Sequence, residues 1–123
     1  TKAGLDLSTR LDIMYKEINQ KFKEFSPDYV AMEELFFCKN ITTGINVAHG
    51  RGVLLLAIAQ LGKPFFEYTP LQVKQAITGY GKADKQQMQK MVQVLLNLDS
   101  IPKPDDAADA LAIALCCGNS ERF

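Results

Sequence analysis

At 123 residues with 47% apolar side chains, the chain has the size and composition of one compact globular domain, not of a disordered tract or a coiled coil. Its longest apolar run, Val53 to Ala59, is far too short to cross a bilayer, and no basic start with an apolar stretch and small-residue cleavage site is present. A net charge of zero conceals a polar distribution: residues 1–62 carry seven basic and seven acidic side chains, 63–98 carry five against two, and 99–123 carry two against five. A basic segment followed by an acidic one suits a protein that grips phosphates in one place and binds a metal in another, and equally suits ordinary solvated surface.

Cys38, Cys116 and Cys117 are an odd set without ligand spacing, as expected of reduced thiols in a cytoplasmic protein with no membrane partner. The lone His49 excludes zinc sites built on several histidines and is expected to sit quietly on a helix.

Near the start, Leu11, Met14, Ile18, Phe22 and Phe25 step by threes and fours, which predicts a core-packing helix with Ser8 as its N-cap. Ser26-Pro27-Asp28 breaks it, and Tyr29 to Phe37 reads as a strand covered on both faces. Glu33 and Glu34 are odd in such a strand: they stand either at a wet rim or where ligands gather, at the carboxyl end of the strand. A polar connector leads to a helix from about Thr43 to Gln60, apolar nearly all round in its second half, and so buried in the core or at a subunit interface. Gly44, Gly50 and Gly52 weaken that helix, a loss that close approach of another helix can offset.

Gly62-Lys63-Pro64 ends the helix, and Phe65 to Tyr68 reads as a second short strand. Pro70 starts a helix with Leu71, Val73 and Ile77 on one side and Lys74 opposite. A glycine-flanked loop, Thr78 to Lys82, precedes a helix capped by Asp84 and running to about Leu98, with the stripe Met88, Met91, Val92, Leu95 and Leu96. Lys74, Lys82 and Lys85 therefore gather near one loop and one helix start, as phosphate-binding groups or as solvated surface.

The last helix opens Asp105-Asp106-Ala107-Ala108-Asp109, with Leu111, Ile113 and Leu115 beyond. Asp106 and Asp109 are three apart, hence on one face of the first turn, where the helix dipole favours negative charge. Such a pair can hold a hard cation such as Mg²⁺; equally, Asp105 or Asp106 can be an N-cap and Asp109 a favourable first-turn acid. Two strands cannot cover this much helical apolar surface, and the chain reads as though strands precede residue 1.

Taken in order, Pro27 to Phe36 with Lys39-Asn40, Gly50-Arg51-Gly52-Val53, Glu67-Tyr68, Gln72 to Gln75, Gly79-Tyr80-Gly81, Lys85 to Gln89 and Asp106 to Ala112 resemble the RuvC family of Holliday junction resolvases. The resemblance covers nearly the whole chain. It implies an α/β, RNase H-like fold, incomplete because the N-terminal strands are absent, with helices packed on a residual sheet; residues 1–123 would be one truncated nuclease domain.

The same resemblance assigns roles. Glu33, Asp106 and Asp109 match the second and the last two catalytic, metal-binding carboxylates, whereas Glu34 stands where the family is not catalytic. Lys74 and Lys85 match basic residues near the scissile phosphate, Lys82 joins them as a DNA-binding residue, and Phe36 matches an aromatic that packs on junction bases. It implies two Mg²⁺ ions roughly 3.5–4 Å apart, replaceable by Mn²⁺. The implied reaction nicks opposed strands of four-way DNA junctions in recombination and repair, leaving 5′-phosphate and 3′-hydroxyl ends. The implied partners are junction DNA, a second copy in a homodimer meeting partly through the glycine-bearing helix, and branch-migration proteins.

One departure stands out. The family's opening strand, Gly-Ile-Asp-Pro-Gly with the first catalytic aspartate, has no match here, so the 123-residue chain alone is expected to be inactive. The exposed edge of the strand at 29–36 is expected to drive dimers or higher oligomers. The alternatives are a non-catalytic RNase H-like module binding branched DNA or a partner protein, and another RNase H-like nuclease acting on different structured DNA.

Overall fold

The computed structural model describes residues 6–34 and 41–121, with backbone alone at 41–44. Along them run α1 (Leu7–Phe25), β1 (Val30–Glu33), α2 (Ile41–Leu61), β2 (Phe65–Tyr68), α3 (Pro70–Thr78), α4 (Lys85–Leu95) and α5 (Asp105–Ser120). The order matches the sequence-derived one. β1 pairs with β2; Val30 N–H donates to the Pro64 carbonyl at 3.0 Å and Glu34 N–H to the Tyr68 carbonyl at 2.7 Å, a constant offset that makes the pairing parallel. All four β1 residues are half-buried, short of the two-sided cover expected for that strand; the part of that expectation at Leu35 to Phe37 lies outside the described residues, as do Cys38, Lys39 and Asn40.

The chain divides into two compact units, Thr1–Val30 with Phe36–Phe65, and Ala31–Leu35 with Phe66–Phe123. In the first, α1 packs on α2. The N-cap of α1 is Asp6, not Ser8: its carboxylate accepts from Thr9 N–H at 2.8 Å and from Ser8 Oγ at 3.1 Å. A charged acceptor at a helix start gains from the helix dipole as well as the bond. Leu11, Met14, Ile18 and Phe22 are half-buried as the stripe predicts, but Phe25 is 69% exposed, with the Lys21 ammonium 5.7 Å from its ring. It is the last helical residue, and Ser26 beside it turns the chain away in a left-handed conformation at φ 44°.

Gly50 supplies the close approach expected within α2, since a Cβ there would stand 3.3 Å from Met14 Cε, whereas one at Gly52 would meet nothing within 4 Å. The apolar second half of α2 is largely covered, with Val53, Leu54 and Leu55 half-buried. Ala57 and Ile58 are buried, but Ile45, Val47 and Leu56 are about half exposed, and His49 is exposed beside them.

The second unit holds a core of Tyr68, Val73, Ile77, Val92, Ala112, Cys116 and Cys117. Reciprocal capping boxes start its two middle helices. Thr69 and Gln72 exchange side chain-to-backbone bonds at 3.2 and 2.8 Å below Pro70, and Asp84 and Gln87 do so at 2.8 Å each. Gly79 closes α3 in the left-handed region at φ 74°. A Cβ at Gly81 would lie 2.6 Å from Leu71 Cδ1, so that half-exposed side chain would have to move to admit one.

The stripe of α4 stops before the predicted Leu98. Asn97 adopts φ 54°, while Leu98 N–H reaches the Gln93 carbonyl at 2.9 Å and Asn97 N–H the Val94 carbonyl at 3.1 Å. That is a Schellman ending with asparagine in the left-handed position. It leaves Leu95 and Leu96 46% and 36% exposed rather than in the core. On α5 the inward face is made of small residues, Ala108, Ala112, Cys116 and Cys117, and both cysteines are free thiols; α5 packs chiefly on α3.

Tyr68 ties this unit together, since besides its carbonyl bond to Glu34 its hydroxyl donates to Glu121 Oε2 at 2.7 Å, at the end of α5. Burial first, then the bonds to Glu121 and Cys117, hold the phenol far above its ordinary pKa. The folded state thus keeps this proton more tightly than the unfolded chain, so its contribution is complete below pH about 10 and is lost as the pH rises further. Replacing Tyr68 by Phe is expected to cost about 1–2 kcal/mol at pH 7. Urea unfolding should show the gap between the two proteins closing above pH about 10, where the unfolded tyrosine ionises.

Candidate active site

Four of the sequence-predicted side chains meet on one cleft of about 360 Å³ in the second unit: Glu33, Lys74, Lys85 and Asp109 line it, with Gln89 and Met88 between them. Each is delivered by a local rule of the chain. Glu33 is the last residue of β1, so it stands at the carboxyl end of a parallel strand, where open α/β sheets gather ligands. Lys74 lies one turn into α3, beyond the Thr69 capping box, and Lys85 is the first residue of α4, directly after the Asp84 cap. Asp109 sits one turn into α5.

The electrostatics show how these groups feel one another. Glu33 is half-buried, and its pKa is raised, first by loss of water and then by the negative charge of Asp109, with Lys74 pulling the other way. Loss of water and the repulsion of Asp109, only partly offset by Lys74, disfavour the ionised form of Glu33. Hard carboxylate oxygens in such a place match a divalent cation, so Glu33 and Asp109 fit the donor chemistry. Among the described residues, however, no group of three or more His, Cys, Asp or Glu side chains is arranged to hold a metal ion. Asp106 is exposed on the first turn of α5 and does not line the cleft.

Lys82 does not line the cleft either, so the expected lysine trio reduces to Lys74 and Lys85 there. Phe36 lies outside the described residues. Glu34 holds a backbone role, donating its N–H to the Tyr68 carbonyl.

The N-cap of α5 is Pro104, without a side-chain cap bond, so the capping role considered for Asp105 or Asp106 is corrected. Asp105 instead forms an ion pair with Lys85, Nζ to Oδ2 at 2.8 Å, and accepts from Gln89 Nε2 at 3.1 Å. The sequence reading missed this arrangement. Its one visible signal is that Lys85 and Gln89 are four apart, on one helix face.

The family model described as crossover junction endodeoxyribonuclease RuvC matches residues 1–117. Proteins of that name from Ruminiclostridium cellulolyticum and Desulfitobacterium hafniense are similar throughout. The first is 56% identical over 123 residues, all of this chain and 74% of the relative. The second is 59% identical over 120 residues, 98% of this chain and 73% of the relative. Among solved structures, Thermus thermophilus RuvC in complex with Holliday junction substrate superposes with a TM-score of 0.87 at 35% identity, covering 96% of this chain and 72% of that one. The helices and short parallel sheet are thus an incomplete RNase H-like fold.

The raised pKa of Glu33 has a consequence for stability. The folded state binds its proton more tightly than the unfolded chain, so the stabilisation is present below pH about 4.5 and lost as the pH rises through the folded value. Glu33→Gln removes a charge the fold disfavours at pH 7 and should stabilise by a few tenths to about 1 kcal/mol. In thermal melts that gain should vanish below pH about 4.5. Asp109→Asn should lower the midpoint at which the Glu33 carboxyl titrates, read by carbon NMR.

Proposed function

The chain belongs to the RuvC family of crossover junction endodeoxyribonucleases, and from that premise we propose that its cleft handles the sugar–phosphate backbone of a four-way DNA junction, nicking opposed strands in recombination and repair. The observation that carries the reading is the meeting of Glu33 and Asp109 with Lys74 and Lys85 on one cleft. Paired acids and paired cations at one place are what phosphodiester hydrolysis needs: oxygen ligands for a cation, and ammonium groups for the phosphate.

In this reading Glu33, Asp109 and, one turn earlier on the same helix, Asp106 hold Mg²⁺, with Mn²⁺ able to substitute. Such an ion, when bound, supplies an activated water and neutralises the leaving oxygen. Lys74, reaching from α3, and Lys85, at the start of α4, hold the phosphate by charge-assisted hydrogen bonds, and Lys82 extends the basic contact along the DNA. Phe36 packs against junction bases. Residues 1–123 belong to one nuclease domain, and because they hold no match to the family's first catalytic aspartate the 123-residue chain alone is expected not to cleave; the whole nuclease works with branch-migration proteins.

The reading includes a homodimer. The outer face of α2 presents Ile45, Ala48, Gly52, Leu56 and Ala59, all exposed and spaced by threes and fours. Small residues between two branched apolar ones let a second helix approach closely, and a twofold dimer would carry two clefts, one for each of two opposed strands. Leu56→Glu should shift sedimentation toward monomer, whereas wild type should sediment as a concentration-dependent dimer; a monomeric wild type at all concentrations counts against the interface.

The test of the site is binding and cleavage of a synthetic four-way junction. Lys74→Ala and Lys85→Ala should each weaken junction binding several-fold and lower the slope of its salt dependence by about one. Glu33→Gln and Asp109→Asn should abolish Mn²⁺ binding, measured by titration calorimetry, while leaving junction binding in place. Junction binding with no metal uptake by the unmutated chain would favour the non-catalytic module instead.

A further inference from the structure

Asp105 belongs neither to the carboxylate pair of the cleft nor to a helix cap, yet both its oxygens are engaged. Oδ2 accepts from Lys85 Nζ at 2.8 Å, and Oδ1 accepts from Gln89 Nε2 at 3.1 Å. Lys85 and Gln89 both line the cleft that Glu33 and Asp109 line. One turn of α4 therefore offers two donors to the first residue of α5, and the cation that faces the cleft is already matched by an anion.

The pairing is mutual. Lys85 holds the Asp105 carboxyl below its usual range, and Asp105 strengthens the hold of Lys85 on its proton. The start of α5 adds its own preference for negative charge. No other residue among the described ion pairs engages Lys85.

We propose that Asp105 is an internal stand-in for a DNA phosphate, holding the Lys85 ammonium at the cleft in the free protein and yielding it to a backbone phosphate on binding. The proposal rests on the reading of the cleft as a DNA site. Exchange is favourable because both side chains of the pair are 60% exposed, and an ion pair in water shifts an equilibrium by no more than about fivefold. A phosphate, by contrast, brings a charge-assisted bond together with release of counterions. Gln89 governs where the acid stays after the exchange. Its bond to Oδ1 keeps Asp105 in place when Lys85 leaves, so an anion remains beside the incoming phosphate. Asp105 thereby lowers the affinity of the cleft for DNA twice, by occupying its cation and by repelling its ligand.

The experiment measures binding of a fluorescent four-way junction without divalent metal, for the full chain, Asp105→Asn, Lys85→Met and the double variant. Asp105→Asn should bind about three- to fivefold tighter at low salt, with the gain fading as salt screens the charges. In the Lys85→Met background the same change should gain less than about twofold, because only the repulsion is left to remove. Equal gains in the two backgrounds would reduce Asp105 to a general surface charge and overturn the proposal, as would no gain in either. Failure of the unmutated chain to bind the junction would overturn the DNA reading itself and this proposal with it; binding with an inert Asp105 would overturn the proposal alone.

Discussion

Tyr68 makes the two bonds on which the geometry of the cleft depends. Its carbonyl takes the N–H of Glu34, directly after the strand residue Glu33, and its hydroxyl reaches Glu121 at the far end of α5, the helix that carries Asp109. One buried residue thus sets the register of the strand bearing the first acid and anchors the helix bearing the second. Both partners are half-buried, so losing the mate would cost each the net worth of a hydrogen bond. The small face of α5, Ala108, Ala112 and Cys116, lets that helix lie close against the core that Tyr68 shares, so the anchor acts on a rigid body rather than on a loose segment.

The charges around the cleft work against one another through their placement. Glu33 loses water and feels Asp109, which makes its ionised form the expensive one. Lys74 relieves part of that, while Lys85 is held by Asp105 at the cleft edge. Desolvation leads the causes at half-buried Glu33, while direct hydrogen bonding leads them at the exposed Lys85–Asp105 pair. A site arranged so gains stability when a cation joins the acids or a phosphate joins the lysines, which is the sense in which such a fold trades stability for binding.

The helix caps explain why the lysines are where they are. Thr69 with Gln72 and Asp84 with Gln87 fix the first residues of two helices to within one position, and a side chain on the first turn inherits that precision. The backbone of Lys85 at the very start of α4 is therefore placed as firmly as the cap itself, although its side chain is exposed. The open apolar face of α2 has no such local cause. Ile45 and Leu56 are apolar although about half exposed, and no cap or turn nearby accounts for them.

From the sequence alone, the element order, the Asp84 cap and the glycine-flanked turn were legible, because each rests on periodicity or on chemistry within a few residues. The same reading offered Glu33 with Glu34, Lys74 and Lys85 with Lys82, and Asp106 with Asp109 as candidates, and only the family resemblance chose Glu33 over Glu34. The motifs in order also carried the family. Ends of elements were less legible: Asp6 displaced Ser8 as a cap, and Asn97 stopped α4 short of Leu98, since neighbouring candidates of similar propensity compete and a single hydrogen bond decides between them. Only the tertiary structure could separate Lys85 from Lys82 and Asp109 from Asp106, because one helical turn decides which side chain faces a cleft formed by other elements. The pairing of Asp105 with Lys85 lay further out of reach. It joins residues twenty apart on two helices, and which acid meets which lysine depends on how the core holds those helices together rather than on any local pattern.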